Sequence, residues 1–138
     1  MADIESLSAL IIEFYEKLSS WEHAVVRGSS LTLPQMHTLE ILGQHPALRM
    51  KELAAKMGVT TGTLTVTVDR LEKRGLVVRA PNETDRRSFL VELTGKGRAL
   101  FEEHHKLHLA LTRDLAASLA DGEAQALTSI LRKLTQAF

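Results

Sequence analysis

Hydrophobic residues in the first part of the chain recur every three or four positions, as they do along one side of an α-helix. Isoleucine, leucine, phenylalanine, tryptophan and valine occupy positions 4, 7, 11, 14, 18, 21 and 25. This alternating spacing is typical of a seam that packs on another long helix. The pattern predicts a first helix that ends at the glycine and serines of residues 28–30.

A second helix is predicted over the segment LTLPQMHTLEIL, which begins at residue 31. Thr32 is suited to cap its start, and Pro34 falls in the first turn, where a missing N–H does no harm. Gly43 and Pro46 are expected to close this helix, because both residue types disfavour its continuation.

Two short helices joined by a glycine-containing turn follow, a pairing that is typical of the helix-turn-helix. The first, within RMKELAAKMG, stops at Gly58, and the second begins with Thr60 as its cap and ends before Gly75. Valine and threonine fill most positions from 59 to 68, so propensity alone favours a strand. The caps and an inward stripe at helical spacing favour a helix instead. That stripe consists of Leu64, Val68 and Leu71.

The hydrophobic period then changes to that of a β-hairpin. Residues 76–79 and 89–93 are short strand candidates, and the polar loop between them contains a proline and two adjacent arginines. Thr94 is suited to cap a long helix that runs to about Ala120, and Asp121 to cap a last helix. The order of elements predicts a mainly α fold with a small β-hairpin wing, a winged helix-turn-helix on a helical dimerisation platform.

One domain is expected over residues 1–138, with residues 31–98 as a DNA-binding lobe and residues 1–30 and 99–138 as dimerisation helices. The apolar faces of the first, fifth and sixth helices exceed what one small winged domain can cover. We therefore expect a homodimer that reads a pseudo-palindromic site in double-stranded DNA. Cysteine is absent, and we find no leader or long apolar run, so we expect a cytoplasmic protein that does not enter a membrane.

Charge is distributed unevenly along a chain whose formal net charge is zero. Residues 49–98 carry 11 Lys and Arg against 6 Asp and Glu, and the rest of the chain has the opposite imbalance. A basic centre between acidic ends is typical of a phosphate-facing module on a separate scaffold, and it disfavours indiscriminate coating of DNA. No hydrolytic motif such as HExxH is present, so we do not expect an enzyme.

Three segments together resemble the MarR family of bacterial transcriptional regulators: LTLPQMHTLEIL, MKELAAKMGVTTGTLTVTVDRLEKRGLVVR and TDRRSFLVELTGKGRAL. The resemblance covers nearly the whole chain and is strongest over residues 31–100. Its most specific part runs from Arg70 to Thr94, where RLEKRGL precedes a wing with Asp85 and Arg87, followed by LVELT. The resemblance implies a dimeric, sequence-specific regulator of transcription.

The outward side of the second helix of the helix-turn-helix supplies candidate DNA contacts, because the N-terminal end of this helix normally enters the major groove. Threonine hydroxyls can donate to or accept from base edges, and a glycine lets the backbone approach closely. Basic residues further along can reach phosphates. The predicted contacts are Thr61, Gly62, Thr63, Thr65, Arg70 and Lys73. The alternative is that the threonines only face water.

The resemblance implies that Arg87 of the wing enters the minor groove while Asp85 holds its guanidinium. A planar cation at a hairpin tip suits a narrow, negative groove, and Arg86 stands beside it. The alternative is an ordinary salt bridge in a loop, which contributes little to stability. Val66 departs from the family pattern, in which a basic or polar side chain is common, so thymine contact or shape readout is expected there.

Two histidines on the fifth predicted helix form the candidate effector site. His104 and His108 are one turn apart in a stripe of leucines, and this spacing can place two ring nitrogens on one metal ion. His37, also on an apolar stripe, is a third candidate ligand, and His23 or Glu22 is a fourth. Such a set would form a closed zinc site, although without cysteine it is also open to other divalent ions.

The pairing of LTxxQ-x-His with E-E-H-x3-H resembles the zinc-uptake regulators within the MarR family, in which zinc bound between the first, second and fifth helices favours DNA binding. The resemblance implies that Zn2+ is held by His37, His104, His108 and His23. Two alternatives stay open. One is a pocket for a small aromatic or phenolic acid, lined by His37 and Trp21. The other is that the histidines serve only the structure.

Overall fold

The computed structural model describes residues 1–138 and contains six α-helices and three short β-strands. In chain order these are α1 (Ile4–Arg27), α2 (Leu33–Gln44), β1 (Leu48–Arg49), α3 (Met50–Met57), α4 (Thr61–Lys73), β2 (Val77–Pro81), β3 (Phe89–Leu93), α5 (Gly95–Ala116) and α6 (Glu123–Gln136). This mainly helical architecture with a small sheet confirms the predicted fold class. None of the helices combines the length and the apolar character that a membrane span requires.

The chain divides into two compact units, Met1–Phe101 and Glu102–Phe138. The first unit contains α1 to α4, the sheet and the start of α5, and the second contains the remainder of α5 together with α6. The boundaries expected from the sequence, a lobe over 31–98 between dimerisation helices, stay a prediction.

Threonines cap three helices at the predicted positions. Thr32 accepts a hydrogen bond from the Gln35 amide at 3.3 Å, and the Gln35 side chain accepts one from the Thr32 amide at 3.1 Å, which completes a capping box. Thr60 accepts from the Thr63 amide at 3.2 Å, and Thr94 accepts from an amide in the first turn of α5 at 3.0 Å. These local bonds satisfy backbone donors that a helix start leaves unpaired.

Glycines at the predicted ends of α3 and α4 make two sharp turns, one within the helix-turn-helix and one between α4 and the wing. Gly58 and Gly75 have φ angles of 68° and 72°, in the left-handed region that favours glycine. The inward stripe of α4 is fully buried, as predicted, at Leu64, Val68 and Leu71. Burial of this stripe outweighs the strand propensity of the valines and threonines around it.

The sheet has the strand order β1-β3-β2 and is antiparallel throughout. In the hairpin, Val77 pairs with Leu93 and Pro81 with Phe89, which confirms the predicted wing. The sequence analysis missed β1, whose Leu48 pairs with Val91. Two residues carry no periodic pattern, so only their pairing with β3 defines them as a strand.

Gly43 does not close the second helix, because α2 continues to Gln44. A Cβ atom at this position would overlap the ring of Phe101. The glycine therefore permits close packing of α2 against the start of α5.

The junction between the last two helices also differs from the prediction. Helix α5 ends at Ala116 rather than near Ala120, and Gly122, not Asp121, is the N-cap of α6. Gly122 has a φ of 83°, and the Glu123 carboxylate accepts the Ala120 amide at 2.6 Å. The turn thus requires a positive φ at the cap position, which glycine adopts more readily than aspartate.

Apolar side chains of α1 and α6 are exposed along the length of each helix. The seam of α1 includes Ile4, Ile11 and Phe14, which are 54% to 70% exposed, and α6 has no buried residue. Leu127, Ile130, Leu131 and Leu134 form the exposed side of α6. Contiguous apolar surfaces of this kind normally mark an interaction site.

Substitution of Gly97 by alanine should destabilise the fold, because an added Cβ would overlap the carbonyl oxygen of Leu76. We expect the free energy of unfolding to fall by about 2 kcal/mol or more in chemical denaturation. Gly95 is the matched control, since a Cβ there meets no atom within 4 Å. Alanine at Gly95 should leave stability unchanged within about 1 kcal/mol. Equal effects at the two positions would contradict this packing explanation.

Candidate functional site

Helix α4 presents a polar outer side because its apolar side is buried in the core. Thr61, Gly62, Thr63 and Thr65 are exposed in its first five positions. The Thr60 hydroxyl donates to the Thr63 hydroxyl at 3.1 Å, and the Thr65 hydroxyl donates to the Thr61 carbonyl at 2.8 Å. The N-terminal half of α4 therefore carries positioned hydroxyls that can still hydrogen-bond to a ligand.

The basic residues near the end of α4 have different roles. Arg70 and Lys73 are exposed and form no ion pair within the protein. Arg74 instead donates to the Ser30 carbonyl at 2.9 Å and to the Ser30 hydroxyl at 2.8 Å. Arg70 and Lys73 are thus available to an anionic partner, whereas Arg74 joins the end of α4 to the loop before α2.

Arg79 on β2 is a functional candidate that the sequence analysis missed. Its guanidinium bonds to Asp69 at 2.6 Å and to Glu72 at 2.7 Å, and both carboxylates belong to α4. The bond to Asp69, followed by the charge of Glu72, raises the pKa of Arg79. The bridge joins the wing to α4, and its single positive charge offsets one of the two negative charges beside Arg70 and Lys73. The signal in the sequence was the pair of acids one turn apart on an otherwise basic helix.

Hydrogen bonds fix the shape of the wing loop. The Asn82 side-chain oxygen accepts from the Thr84 amide at 3.1 Å and from the Thr84 hydroxyl at 2.8 Å. The Asn82 side-chain nitrogen donates to the Ser88 hydroxyl at 3.1 Å. Arg86 and Arg87 are exposed within this braced loop. Their cationic side chains project from an ordered support.

Asp85 does not hold the Arg87 guanidinium in the way that the resemblance implied. Its carboxylate accepts a hydrogen bond from the Arg87 backbone amide at 3.0 Å, and the two side chains form no ion pair. The two-residue spacing favours this Asx-type bond, which closes a tight turn. Asp85 therefore shapes the loop, and the guanidinium of Arg87 is left for a partner.

His104 and His108 lie together on α5, as predicted. His104 is 3% exposed, His108 is half-buried, and their Nε2 atoms are 3.1 Å apart. Two zinc ligands at 2.0–2.1 Å from one tetrahedral ion are separated by about 3.3 Å, so the pair fits a shared cation. The same separation also fits a hydrogen bond between two neutral rings.

Fewer of the leucines around these histidines are buried than the helical spacing predicted. Leu107 and Leu115 are 45% and 46% exposed. They do not face the same environment as the buried His104.

The other predicted ligands lie on helices of the first unit. His23 is exposed on α1, and its Nδ1 is 2.7 Å from the Ser19 carbonyl oxygen. His37 is exposed on α2, and Glu22 is half-buried on α1. Within the first unit no group of three metal-ligating side chains assembles around His23 or His37. The grouping of these residues with His104 and His108 stays a prediction.

Comparison with known proteins gives a consistent result. The model of the MarR family matches residues 31–89. The HTH-type transcriptional repressor MdtR of Bacillus subtilis (strain 168) is 33% identical over 139 residues, which cover 99% of this chain and 86% of that protein. The HTH-type transcriptional regulator YfiV of the same organism is 39% identical over 108 residues, which cover 78% of this chain and 67% of the relative.

Solved structures share the whole architecture. A MarR family protein from Bacillus stearothermophilus has a TM-score of 0.85 at 28% identity, with 97% of this chain and 94% of that chain covered. Streptococcus pneumoniae FabT in complex with DNA has a TM-score of 0.82 at 26% identity, with 97% and 96% covered. NadR in complex with 4-hydroxyphenylacetate has a TM-score of 0.81 at 25% identity, with 97% and 93% covered. The chain belongs to the MarR family of winged-helix, DNA-binding transcriptional regulators.

Proposed function

We propose that this protein is a dimeric repressor that binds a pseudo-palindromic operator and whose DNA affinity is modulated by a divalent metal ion, zinc in the first instance. The observation that carries the DNA-binding part is the set of exposed hydroxyls and unpaired cations on α4 and the wing. Its relatives are named as transcriptional regulators, in agreement with the expectation that it is not an enzyme. Its place of action is the bacterial cytoplasm, where the DNA is.

DNA contacts divide between the two grooves in this proposal. The N-terminal half of α4 enters the major groove, where Thr61, Thr63 and Thr65 face base edges. Arg70 and Lys73 bind phosphates and fix the register of the helix. The wing arginines then reach the adjacent minor groove, whose negative potential attracts guanidinium groups.

Dimer formation follows from the exposed seams of α1 and α6. A second copy of the chain is the simplest cover for two self-complementary apolar helix faces, and a two-fold axis gives each face an identical partner. The two copies of α4 would then lie about 34 Å apart and read half-sites one helical turn apart.

Zinc binding is supported by the His104–His108 pair. Both Nε2 atoms are close enough to bind one ion, and His104 is buried while His108 is half-buried. From the sequence, His37 is the expected third ligand, and either His23 or Glu22 is the expected fourth. If the metal binds the DNA-binding conformation more tightly than the conformation that does not bind DNA, it favours the first. Metal and operator then each increase the affinity of the protein for the other by the same factor.

A small aromatic acid is the second candidate effector. The NadR structure holds 4-hydroxyphenylacetate. On α1 of this protein, Tyr15, Ser19, His23 and Arg27 lie along one side of the helix together with Glu16. Arg27 offers a cation for a carboxylate on this side of α1. Trp21 and His37, which the sequence suggested for such a pocket, are not part of this group.

Removal of the Arg79 charge should weaken DNA binding. In Arg79→Gln, Asp69 and Glu72 would repel phosphates next to Arg70, so we expect operator affinity to fall by about tenfold or more at low salt. Fluorescence anisotropy over a range of salt concentrations measures the effect. Lys17→Gln, which removes an exposed cation paired with Glu13 on α1, is the matched control.

A triple variant separates charge from structure in this test. Asp69→Asn and Glu72→Gln, added to Arg79→Gln, should restore part of the affinity, because they remove the repulsive carboxylates but do not replace the bridge that orders the hairpin. Wild-type affinity in Arg79→Gln, or no recovery in the triple variant, would contradict the electrostatic role of Arg79.

Zinc should increase the affinity for the operator, and His108→Ala should abolish this increase. The affinity of His108→Ala for the operator without metal should equal that of the wild type. Elemental analysis of untagged protein should find about one zinc per chain, as a single closed site requires. His45→Ala removes a histidine outside the proposed site and should respond to zinc like the wild type. Single substitutions of His37, His23 and Glu22 then identify the other ligands by their weaker zinc binding.

The same binding assay distinguishes the two effector classes. If chelator-treated and zinc-loaded proteins bind the operator equally well, the metal mechanism is wrong. Release of DNA by 4-hydroxyphenylacetate, abolished in Arg27→Gln, would then support the aromatic-acid hypothesis.

A further inference from the structure

An exposed aromatic side chain lies on the wing next to its cationic loop. Phe89, the first residue of β3, is 52% exposed, whereas Val91 on the same face of the strand is fully buried. In the hairpin register Phe89 pairs with Pro81, which is also exposed. Phe89 and Pro81, which we call the wing apolar pair, leave apolar surface in water close to Arg86 and Arg87.

The wing apolar pair is on the face of the hairpin that is turned toward α4. Side chains directly opposite each other in an antiparallel pair, and those two positions along, share a face. Arg79 is paired with Val91 and reaches Asp69 and Glu72 of α4, which fixes the direction of this face. Phe89 follows on the same face, about 7 Å closer to the hairpin tip.

Helix α4 also has an exposed apolar side chain near the point where the wing is bonded to it. Arg79 reaches Glu72 and Asp69, and one turn before Asp69 on α4 are Thr65 and Val66. Val66 is 51% exposed. Helix α4 and the wing, the two elements that are proposed to enter neighbouring grooves, thus each carry exposed apolar surface beside their cations.

A DNA strand must pass between α4 and the wing if α4 occupies the major groove and the wing occupies the minor groove, because one sugar-phosphate backbone separates the two grooves. Phosphates project outward to Arg70, Lys73 and the wing arginines, while the deoxyribose rings are the apolar part of that strand. An exposed phenyl ring flanked by cations is complementary to such a surface in both shape and polarity.

We propose that Phe89, supported by Pro81, packs against deoxyribose of the strand that separates the two grooves. This inference rests on the proposed DNA-binding function and adds an interaction that is independent of base sequence. The ring sets the depth to which the wing enters the minor groove, and Arg87 supplies the charge.

Phe89→Ala tests the proposal with a duplex that the wild-type protein has selected from a random library. Affinity should fall by about tenfold, since roughly half a phenyl ring is no longer buried, and Phe89→Leu should restore part of it. The slope of log Kd against log salt should not change, because every phosphate-binding cation is still present. Arg87→Gln, measured alongside, should reduce that slope by about one for each phosphate that the protein no longer binds.

Val78→Ala is the matched control. Val78 is 40% exposed on the opposite face of the same hairpin, so its truncation should not change DNA affinity. Thermal unfolding of each variant establishes that it is folded at the assay temperature.

Three results would overturn the role of Phe89: unchanged affinity in Phe89→Ala, an equal decrease in Val78→Ala, or a changed salt slope in Phe89→Ala. Failure of the wild-type protein to select any duplex would instead overturn the proposed DNA-binding function itself.

Discussion

Helix α4 and the wing have to be held at a fixed separation if they enter neighbouring grooves of one duplex, as proposed. The bridge from Arg79 to Asp69 and Glu72 supplies this constraint. It is bidentate across two carboxylates, and only 23% of the Arg79 side chain is exposed, so it orders the hairpin more than a typical surface pair does. It also offsets one of the two negative charges of Asp69 and Glu72 on the side of the molecule that is proposed to face phosphates.

The polar and charged side chains of the proposed DNA-facing surface are those that the core does not bury. Leu64, Val68 and Leu71 bury one side of α4 completely, and the opposite side keeps threonines and unpaired cations in water. Arg74 is withdrawn from that surface by its bonds to Ser30. Basic residues close together in sequence thus differ in role. Those bonded within the protein stabilise the fold, and those without an internal ion pair are available to DNA.

Local signals account for the parts of the fold that could be predicted from the sequence. Thr32, Thr60 and Thr94 act as caps through bonds to amides three residues away, and Gly58 and Gly75 meet a local need for positive φ. Such signals are complete within a few residues, so the helices and the hairpin were correctly predicted except at the turn between α5 and α6, where Gly122 rather than Asp121 is the cap. DNA-contact candidates on α4 followed from the same reasoning. Features that depend on residues distant in sequence were missed.

Strand β1 exists only through its pairing with β3, and Gly43 is explained only by the ring of Phe101. The partners of Arg79 are seven and ten residues away on another element. Asp85 is a local exception, because it binds the backbone amide of Arg87 rather than the side chain expected. The other ligands of a metal at His104 and His108 also depend on residues distant in sequence, because helical spacing places only these two histidines side by side.

Methylation interference on the selected duplex tests the central claim most directly, since it reports on both grooves at once. Methyl groups at guanine N7 lie in the major groove, and those at adenine N3 lie in the minor groove. We expect two clusters of N7 interference about ten base pairs apart, centre to centre, each accompanied by N3 interference where the wing enters. Interference confined to one groove, or a single cluster without two-fold symmetry, would contradict the claim.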